Sequence, residues 1–446
     1  MMDQLSKHVF YPLWDLKDRS TRLKELAELE QQQWWSVGQL RDLQWQRLQK
    51  LLNYAAKHSP FYRKRLNHLN LTTDELSSLE AFQSIPVTTK QEIRNQTDDF
   101  ISDEYDKNQL IMAKTGGSTG VSLNLFFDKE CQERRNAAQM WTDRWAGWDL
   151  GQKKAAIWGN PPLAKGIKQR IRLGLMDRTI YLDTMNLNAG SMGNFVTRWR
   201  KEQPKVIFGH AHSIYIFAKY VKESGHQDIR PYGIVATSMM LLDHERQVIE
   251  EAFGCKVTNR YGCEEVGLIA CECEEHQGMH LNLPHVYVEF LDADNKPVKA
   301  GEPGKIVVTD LNNFAMPLIR YRVEDVGVFT PEQCGCGRNL PVLQRLEGRL
   351  ADFLKLPDGG QVAGISLIER TLTKVPGIEQ MQIVQIRINQ IVINRVKGQG
   401  YSEKTDQELM VEMREVFDER VGIKINDVAT IPQETSGKYR FAICKV

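Results

Sequence analysis

The chain opens on a helical pattern. Leu40, Leu43, Leu48, Leu51, Leu52 and Ala55 recur at three- and four-residue steps with Arg, Gln and Lys between them, the spacing that lines one face of an α-helix. Ser59-Pro60 predicts the end of this helical leader at about residue 60, because a proline disfavours the helical conformation in the residue before it. From about Ala113 to Leu343 short β-branched or apolar runs alternate with longer helical stretches, as at 205–208, 214–223 and 233–236. That alternation predicts an α/β domain. Near 345–352 the pattern resets, and 353–356 reads as a strand entering a tight turn at Pro357-Asp358-Gly359-Gly360. Beyond it the periodicity predicts a helix over 365–373, alternating strands at 381–388 and 390–396, and a helix capped near Ser402 with Leu409, Met413, Val416 and Phe417 on one face. A last strand is expected near 427–431. The expected organisation is therefore α/β: a large N-terminal domain of mixed sheets and helices over 1–351, and a small C-terminal α+β domain over 352–446.

Composition narrows the classes of function. With 446 residues, 41% apolar and 26% charged, the chain exceeds one ordinary domain of ~100–200 residues. A formal net charge of +1 removes the electrostatic argument for nucleic acid, since backbone binders carry a basic excess. No run approaches the ~20 apolar residues that cross a bilayer. The start, Met1-Met2-Asp3-Gln4-Leu5-Ser6-Lys7-His8, lacks the charged segment and apolar centre of a secretory signal, so a cytoplasmic protein is expected. Eight cysteines are modest for this length and fit a reducing compartment. Four of them form two Cys-x-Cys pairs, Cys271/Cys273 and Cys334/Cys336, which calls for a chemical explanation.

The first chemical signal is Lys114-Thr115-Gly116-Gly117-Ser118-Thr119-Gly120, directly after the apolar stretch Leu110-Ile111-Met112-Ala113. Three glycines let backbone amides turn toward an anion and three hydroxyls add donors, as a polyphosphate requires. It is not a Walker sequence, because no Gly-Lys-Ser/Thr follows at the required spacing. Alone, such a stretch is more often a flexible surface loop. Further motifs follow in order: Arg260-Tyr261-Gly262-Cys263-Glu264-Glu265, Gly301-Glu302-Pro303-Gly304, Pro317-Leu318-Ile319-Arg320-Tyr321-Arg322-Val323-Glu324-Asp325, Gly348-Arg349-Leu350-Ala351-Asp352 and Ser436-Gly437-Lys438. This ordered set resembles the adenylate-forming superfamily, most of all the phenylacetate–coenzyme A ligase group and the related capsule-biosynthesis (CapK-like) proteins. The resemblance runs from about Leu51 to the C-terminus.

The resemblance implies an AMP-forming acid ligase. ATP would activate a small carboxylic acid as its acyl-adenylate, releasing pyrophosphate, and the acyl group would pass to coenzyme A. Two alternatives stand beside this: transfer to an amine or hydroxyl acceptor, as in capsule or other secondary biosynthesis, and a nucleotide-binding protein that has lost turnover. By the same resemblance Thr115, Gly116, Gly117, Ser118, Thr119 and Gly120 would hold the phosphates. Glu265 would ligate Mg²⁺, with Tyr261, Gly262 and Glu264 around it. Asp325, an acceptor-only carboxylate, would take the ribose hydroxyls, and Arg349 would add a second ribose contact. Lys438 would place a positive charge on the adenylation transition state, and the small domain would turn about a hinge at Asp352.

Two departures from the family pattern stand out. Glu264 occupies a position that commonly holds Ser, Thr or Arg, which predicts two adjacent carboxylates at the metal. Met239, in Thr237-Ser238-Met239-Met240, replaces a common Glu. The cysteine pairs acquire a reading as well: Cys273, His276, Cys334 and Cys336 would form a structural Cys₃His zinc site, with Cys271 an alternative to Cys273 and His280 an alternative to His276. His210 and His212 would edge the acyl pocket or satisfy backbone groups. Trp141, Trp145, Trp148 and Trp158 would be packing or pocket wall. No nucleic-acid or membrane partner is expected, and a homodimer is compatible with this reading.

Overall fold

The computed structural model describes residues 2–71, 76, 78–114, 123–159, 166–184, 187–349, 353–358, 361–398, 400–432 and 440–446. The leader is helical, as the periodicity predicts, but in pieces: Met2–Asp18 as one run with a π-helical turn at Ser6–Phe10, then Arg22–Gln32 and Val37–His58. The breaks have local causes. Arg19 takes a left-handed conformation, and Ser36 caps the third helix in a reciprocal box with Gln39. Pro60 starts the next helix, Pro60–His68, where its missing N–H costs nothing.

A short antiparallel pair, β1 (Ile111–Lys114) and β2 (Asn124–Phe127), flanks residues 115–122. Alternation of apolar runs and helices then builds β3 (Lys154–Trp158), β4 (Thr179–Asp183), β5 (Val206–His210), β6 (Gly233–Thr237) and β7 (Val257–Cys263). These five are parallel, in the order β4-β3-β5-β6-β7. The sheet continues through antiparallel strands β8 (Gly267–Glu272), β9 (Met279–Leu281), β10 (Val286–Leu291), β11 (Pro303–Asp310), β12 (Tyr321–Thr330) and β13 (Val342–Arg349), completing an eleven-stranded sheet ordered β10-β11-β12-β13-β9-β8-β7-β6-β5-β3-β4. Helices Ala211–Glu223 and Asp243–Phe253 cover the parallel half through Ile214, Phe217, Ile249 and Phe253. The leader's Leu48, Leu51, Leu52 and Ala55 are fully buried in the cluster that packs the antiparallel half. Among the described residues no helix is long and apolar enough to cross a membrane.

A separate unit begins with the hairpin β14 (Phe353–Lys355) and β15 (Gln361–Ala363). It continues through helix Gly364–Lys374, β16 (Ile378–Arg387), β17 (Gln390–Lys397), helix Glu403–Arg414, β18 (Gly422–Asp427) and β19 (Ala442–Cys444). Its sheet order is β18-β17-β16-β19. One element differs from expectation: the strand predicted at 427–431 lies earlier, at Gly422–Asp427, because parallel pairing with β17 puts Gly422 opposite Gln390. β19, too short to show a period, closes the other edge of that sheet. The unit's core is Met381, Ile383, Ile391, Ile393, Leu409, Met413 and Phe417, and Leu242 of the large domain joins the same cluster.

Candidate active site

The seam where the sheet changes from parallel to antiparallel is where Tyr261, Glu265, Tyr321 and Asp325 meet. β7 carries Arg260 and Tyr261 out of the parallel half, and the pairing with β8 slips by a bulge between Tyr261 and Gly262. Gly262 is required there, since a Cβ would lie 2.5 Å from the Gly267 carbonyl oxygen. The turn that follows presents the two glutamates differently. Glu265 is buried at 6% exposure, whereas Glu264 is exposed, so the expected pair of carboxylates at one metal position is split between interior and solvent.

Glu265 is held from two sides. The Tyr321 hydroxyl donates to its Oε1 at 3.1 Å, and Lys90 Nζ lies 3.7 Å from the same oxygen. Burial, and then the charge of Glu265, pushes the Tyr321 hydroxyl far above its usual value, so it remains a donor. Cys263 is likewise raised, by burial first and Glu265 second, and stays a thiol rather than a nucleophile. Lys90 was not legible as a site residue. Its placement comes from Thr88, whose N–H donates to the Arg320 carbonyl at 2.8 Å and whose carbonyl accepts from Arg322 N–H at 3.0 Å, and from the Thr89/Glu92 capping box that starts helix Lys90–Asn95. The Thr-x-x-Glu spacing was the available signal.

Asp325 stands on β12, and the Tyr261 hydroxyl donates to its Oδ2 at 2.7 Å. Its cross-strand partner on β13 is Arg349, so strand register brings together two residues that the motif reading assigned to one ribose. Arg135, buried, ties the turn to the β1/β2 pair: it donates to the carbonyls of Glu264 and Glu265 at 2.9 and 2.8 Å, pairs with Asp310, and lies over the Phe127 ring at 3.9 Å. Residues 115–120 and Lys438, with Asp352, lie outside the described residues. Arg260, beside Tyr261, makes a buried ion pair with Asp143.

Trp141, Trp145 and Trp148 are buried packing residues. Trp158, at the C-terminal end of β3, stacks on Phe208 at 5.1 Å and meets His210 at 4.1 Å, at the strand ends where open α/β sheets take ligands. His212 instead pairs with the buried Glu245 and faces the small domain, where Gln380 Nε2 and the Phe441 ring approach it at 3.4 and 4.9 Å. Met239 and Met240 pack against the small domain's core cluster. Met239 is thus part of an apolar seat between domains.

Cys273, His280, Cys334 and Cys336 bring one ligand atom each within 4.8 Å of one another. The fourth member is His280, not His276, whose Nδ1 is turned to Glu272 at 3.4 Å. His280 Nδ1 donates to the Leu340 carbonyl at 3.1 Å, which leaves the Nε2 lone pair facing Cys336 Sγ at 3.3 Å. Cys271 is set apart, buried with its thiol raised to about 12 by burial and then by its acidic neighbours, against the lowering effect of Arg260. Cys273 and Cys334 lie 3.6 Å apart, close to the edge of about 3.8 Å expected for two thiolates on one tetrahedral zinc. The donor set fits that ion.

Comparison with known proteins agrees with this architecture. Residues 354–445 match the CapK C-terminal domain family. Protein CapK of Staphylococcus aureus is 25% identical over 414 residues, covering 90% of this chain and 88% of that protein. A phenylacetate-coenzyme A ligase of Thermus thermophilus is 25% identical over 403 residues, covering 86% and 84%. The crystal structure of 2-hydroxyisobutyryl-CoA ligase in its postadenylation state superposes with a TM-score of 0.76 at 20% identity, covering 92% of this chain and 91% of that one. The chain is thus a homologue of CapK and of the phenylacetate–coenzyme A ligases, built on the fold of the adenylate-forming ligases, with residues 354–445 similar to the CapK C-terminal domain.

Proposed function

We propose that this protein is an AMP-forming acid ligase that activates a carboxylic acid with ATP and transfers the acyl group to coenzyme A. The carrying observation is the pair of tyrosine–carboxylate contacts at the seam, Tyr321–Glu265 and Tyr261–Asp325. They hold one carboxylate for a metal and one for a ribose at the same end of the sheet. Asp325, with Arg349 across the strand, orients the nucleoside. Glu265, fixed by Tyr321 and Lys90, would hold Mg²⁺, which when bound offsets the phosphate charge. Residues 115–120 supply phosphate donors and Lys438 the charge that the transition state needs. In the first step the substrate carboxylate oxygen bonds to the α-phosphorus and pyrophosphate departs. In the second, the coenzyme A thiol loses its proton to solvent, its sulfur bonds to the acyl carbon and AMP departs. Between the steps the small domain turns about Asp352.

Cys273, His280, Cys334 and Cys336 would hold a zinc ion with no open position, whose chemistry is structural: it links β8–β9 to the segment before β13. Three thiolate ligands suit a reducing cytoplasm. The match of residues 354–445 to the CapK C-terminal domain favours a second reading for the acceptor alone, an amine or hydroxyl in place of the thiol. Loss of turnover finds less support, because Glu264 points to solvent and Met239 packs between domains. The test is ATP-dependent pyrophosphate release over a panel of carboxylic acids, followed by mass spectrometry of the product with coenzyme A or amines. An acid panel that yields no pyrophosphate from zinc-loaded protein with Mg²⁺ would sink the proposal.

A further inference from the structure

The first helical run, Met2–Asp18, is firmly seated by one face. Ser6 Oγ donates to the Leu175 carbonyl at 2.7 Å and the Tyr11 hydroxyl to the Met176 carbonyl at 3.3 Å. Asp3 pairs with Arg178, Lys7 with Asp149, and Asp15 with Arg22. Gly151 lies so close beneath it that a Cβ there would meet the Asp3 carbonyl oxygen at 2.5 Å. The opposite face carries Met2, Leu5, Val9, Leu13 and Leu16, all exposed, the last two at 59% and 77%. Among the described residues no other helix leaves as many large apolar side chains in solvent. An apolar stripe on an otherwise docked helix marks an interaction surface.

The spacing of the stripe says what covers it. The steps between its members are three, four, four and three residues, a pattern that reads the same in both directions about Val9. A two-fold interface requires a patch complementary to itself. If two copies cross antiparallel at Val9, Met2 meets Leu16 of the other copy, Leu5 meets Leu13, and Val9 meets Val9. The polar ends agree: Asp3, half-buried in its pair with Arg178, lies at the start, and Lys17 and Arg19 stand exposed at the finish, so antiparallel pairing brings Lys17 and Arg19 to the end that carries Asp3 and sets the helix dipoles head to tail. Specific interfaces begin at about 1,200 Å² of total buried surface, so the polar flanks of the helix join the stripe in the contact. We propose that the protein is a homodimer joined by antiparallel packing of its Met2–Asp18 helices about a two-fold axis at Val9.

Sedimentation velocity on the full chain at micromolar concentration tests this, together with cysteine cross-linking read against the wild-type background. The wild type is expected to sediment as a dimer. Val9→Asp, which sets two carboxylates face to face at the axis, is expected to weaken association by ~30-fold or more with an unchanged circular dichroism spectrum. Val9→Cys should cross-link to itself on oxidation, and Leu5→Cys should cross-link to Leu13→Cys in a mixture but not to itself. A monomeric wild type, a dimer that survives Val9→Asp, or self-cross-linking of Leu5→Cys would each overturn the proposal. So would a monomer that floats with phosphatidylglycerol vesicles, which would assign the stripe to a lipid surface.

Discussion

Asp325 and Glu265 each accept from a tyrosine hydroxyl, yet they answer to different neighbours. Asp325 has Tyr261 beside it and Arg349 across the strand, whereas Glu265 shares its oxygen with Tyr321 and Lys90. Replacing Asp325 by Ala should therefore weaken ATP binding far more than it disturbs folding. Loss of charged hydrogen bonds costs about 1.5–3 kcal/mol, a fall of roughly tenfold to a hundredfold in affinity. Calorimetric titration with ATP beside a thermal melt checks this, and unchanged affinity would show that the strand register misleads. Tyr261 and Asp325 were legible because each sits in a short motif. Lys90 was not, because its closeness to Glu265 depends on Thr88 pairing with a strand more than two hundred residues away.

At the scale of elements, two clasps fasten the helical leader and the strands around β9. The cysteine–histidine group joins β8–β9 to the segment before β13, and Arg338 beside it donates to Gln33 of the leader at 2.8 Å and to both oxygens of Glu274 at 2.9 Å. Purified protein should contain about one zinc per chain. A Cys334→Ser/Cys336→Ser double variant should lose it and melt lower, since binding to a structural site is folding free energy. Metal analysis of chelator-free protein decides the matter. The second clasp is Glu25, on the leader helix Arg22–Gln32, which accepts from His285 Nε2 at 2.9 Å with Arg47 and Arg134 each 3.7 Å away. Burial alone would raise this carboxyl, but the His285 hydrogen bond and the two guanidiniums outweigh it and hold Glu25 at about 2. A depressed carboxyl contributes stability that is whole above its ordinary value near 4.5 and is lost as pH falls toward 2. Glu25→Gln should flatten the decline of melting temperature across that acid window, and a parallel decline in both proteins would remove Glu25 from the account.

The whole molecule is two bodies with a shared seat. Lys219 pairs with Glu379 at 2.7 Å, Phe441 rests on His212, and Leu242 joins the small domain's core. In the proposed mechanism the small domain turns between half-reactions. Lys438→Ala should then suppress acyl-adenylate formation by ~10²–10³, the usual cost of one preorganised electrostatic contact, while leaving acyl transfer from chemically synthesised acyl-adenylate intact. Asp352→Pro should do the reverse by stiffening the hinge. Single-turnover measurement of both half-reactions in both variants is the check, and equal losses in the two steps would refute the division of labour.

By itself the sequence determined what depends on neighbours along the chain. Helical periodicity placed the leader, the alternation of apolar runs placed the α/β sheet, the change of pattern near 345–352 announced a C-terminal unit, and short motifs singled out Tyr261, Glu265 and Asp325. Tertiary structure decided whatever depended on which strands lie side by side. His280 rather than His276 joins the cysteines because β9 pairs with β13 and turns the ring toward Cys336. Glu264 and Glu265 part company because the turn between β7 and β8 buries one side chain and leaves the other in solvent. A carboxylate's neighbours in sequence say what it is; its partners across the sheet say what charge it feels and what it can hold.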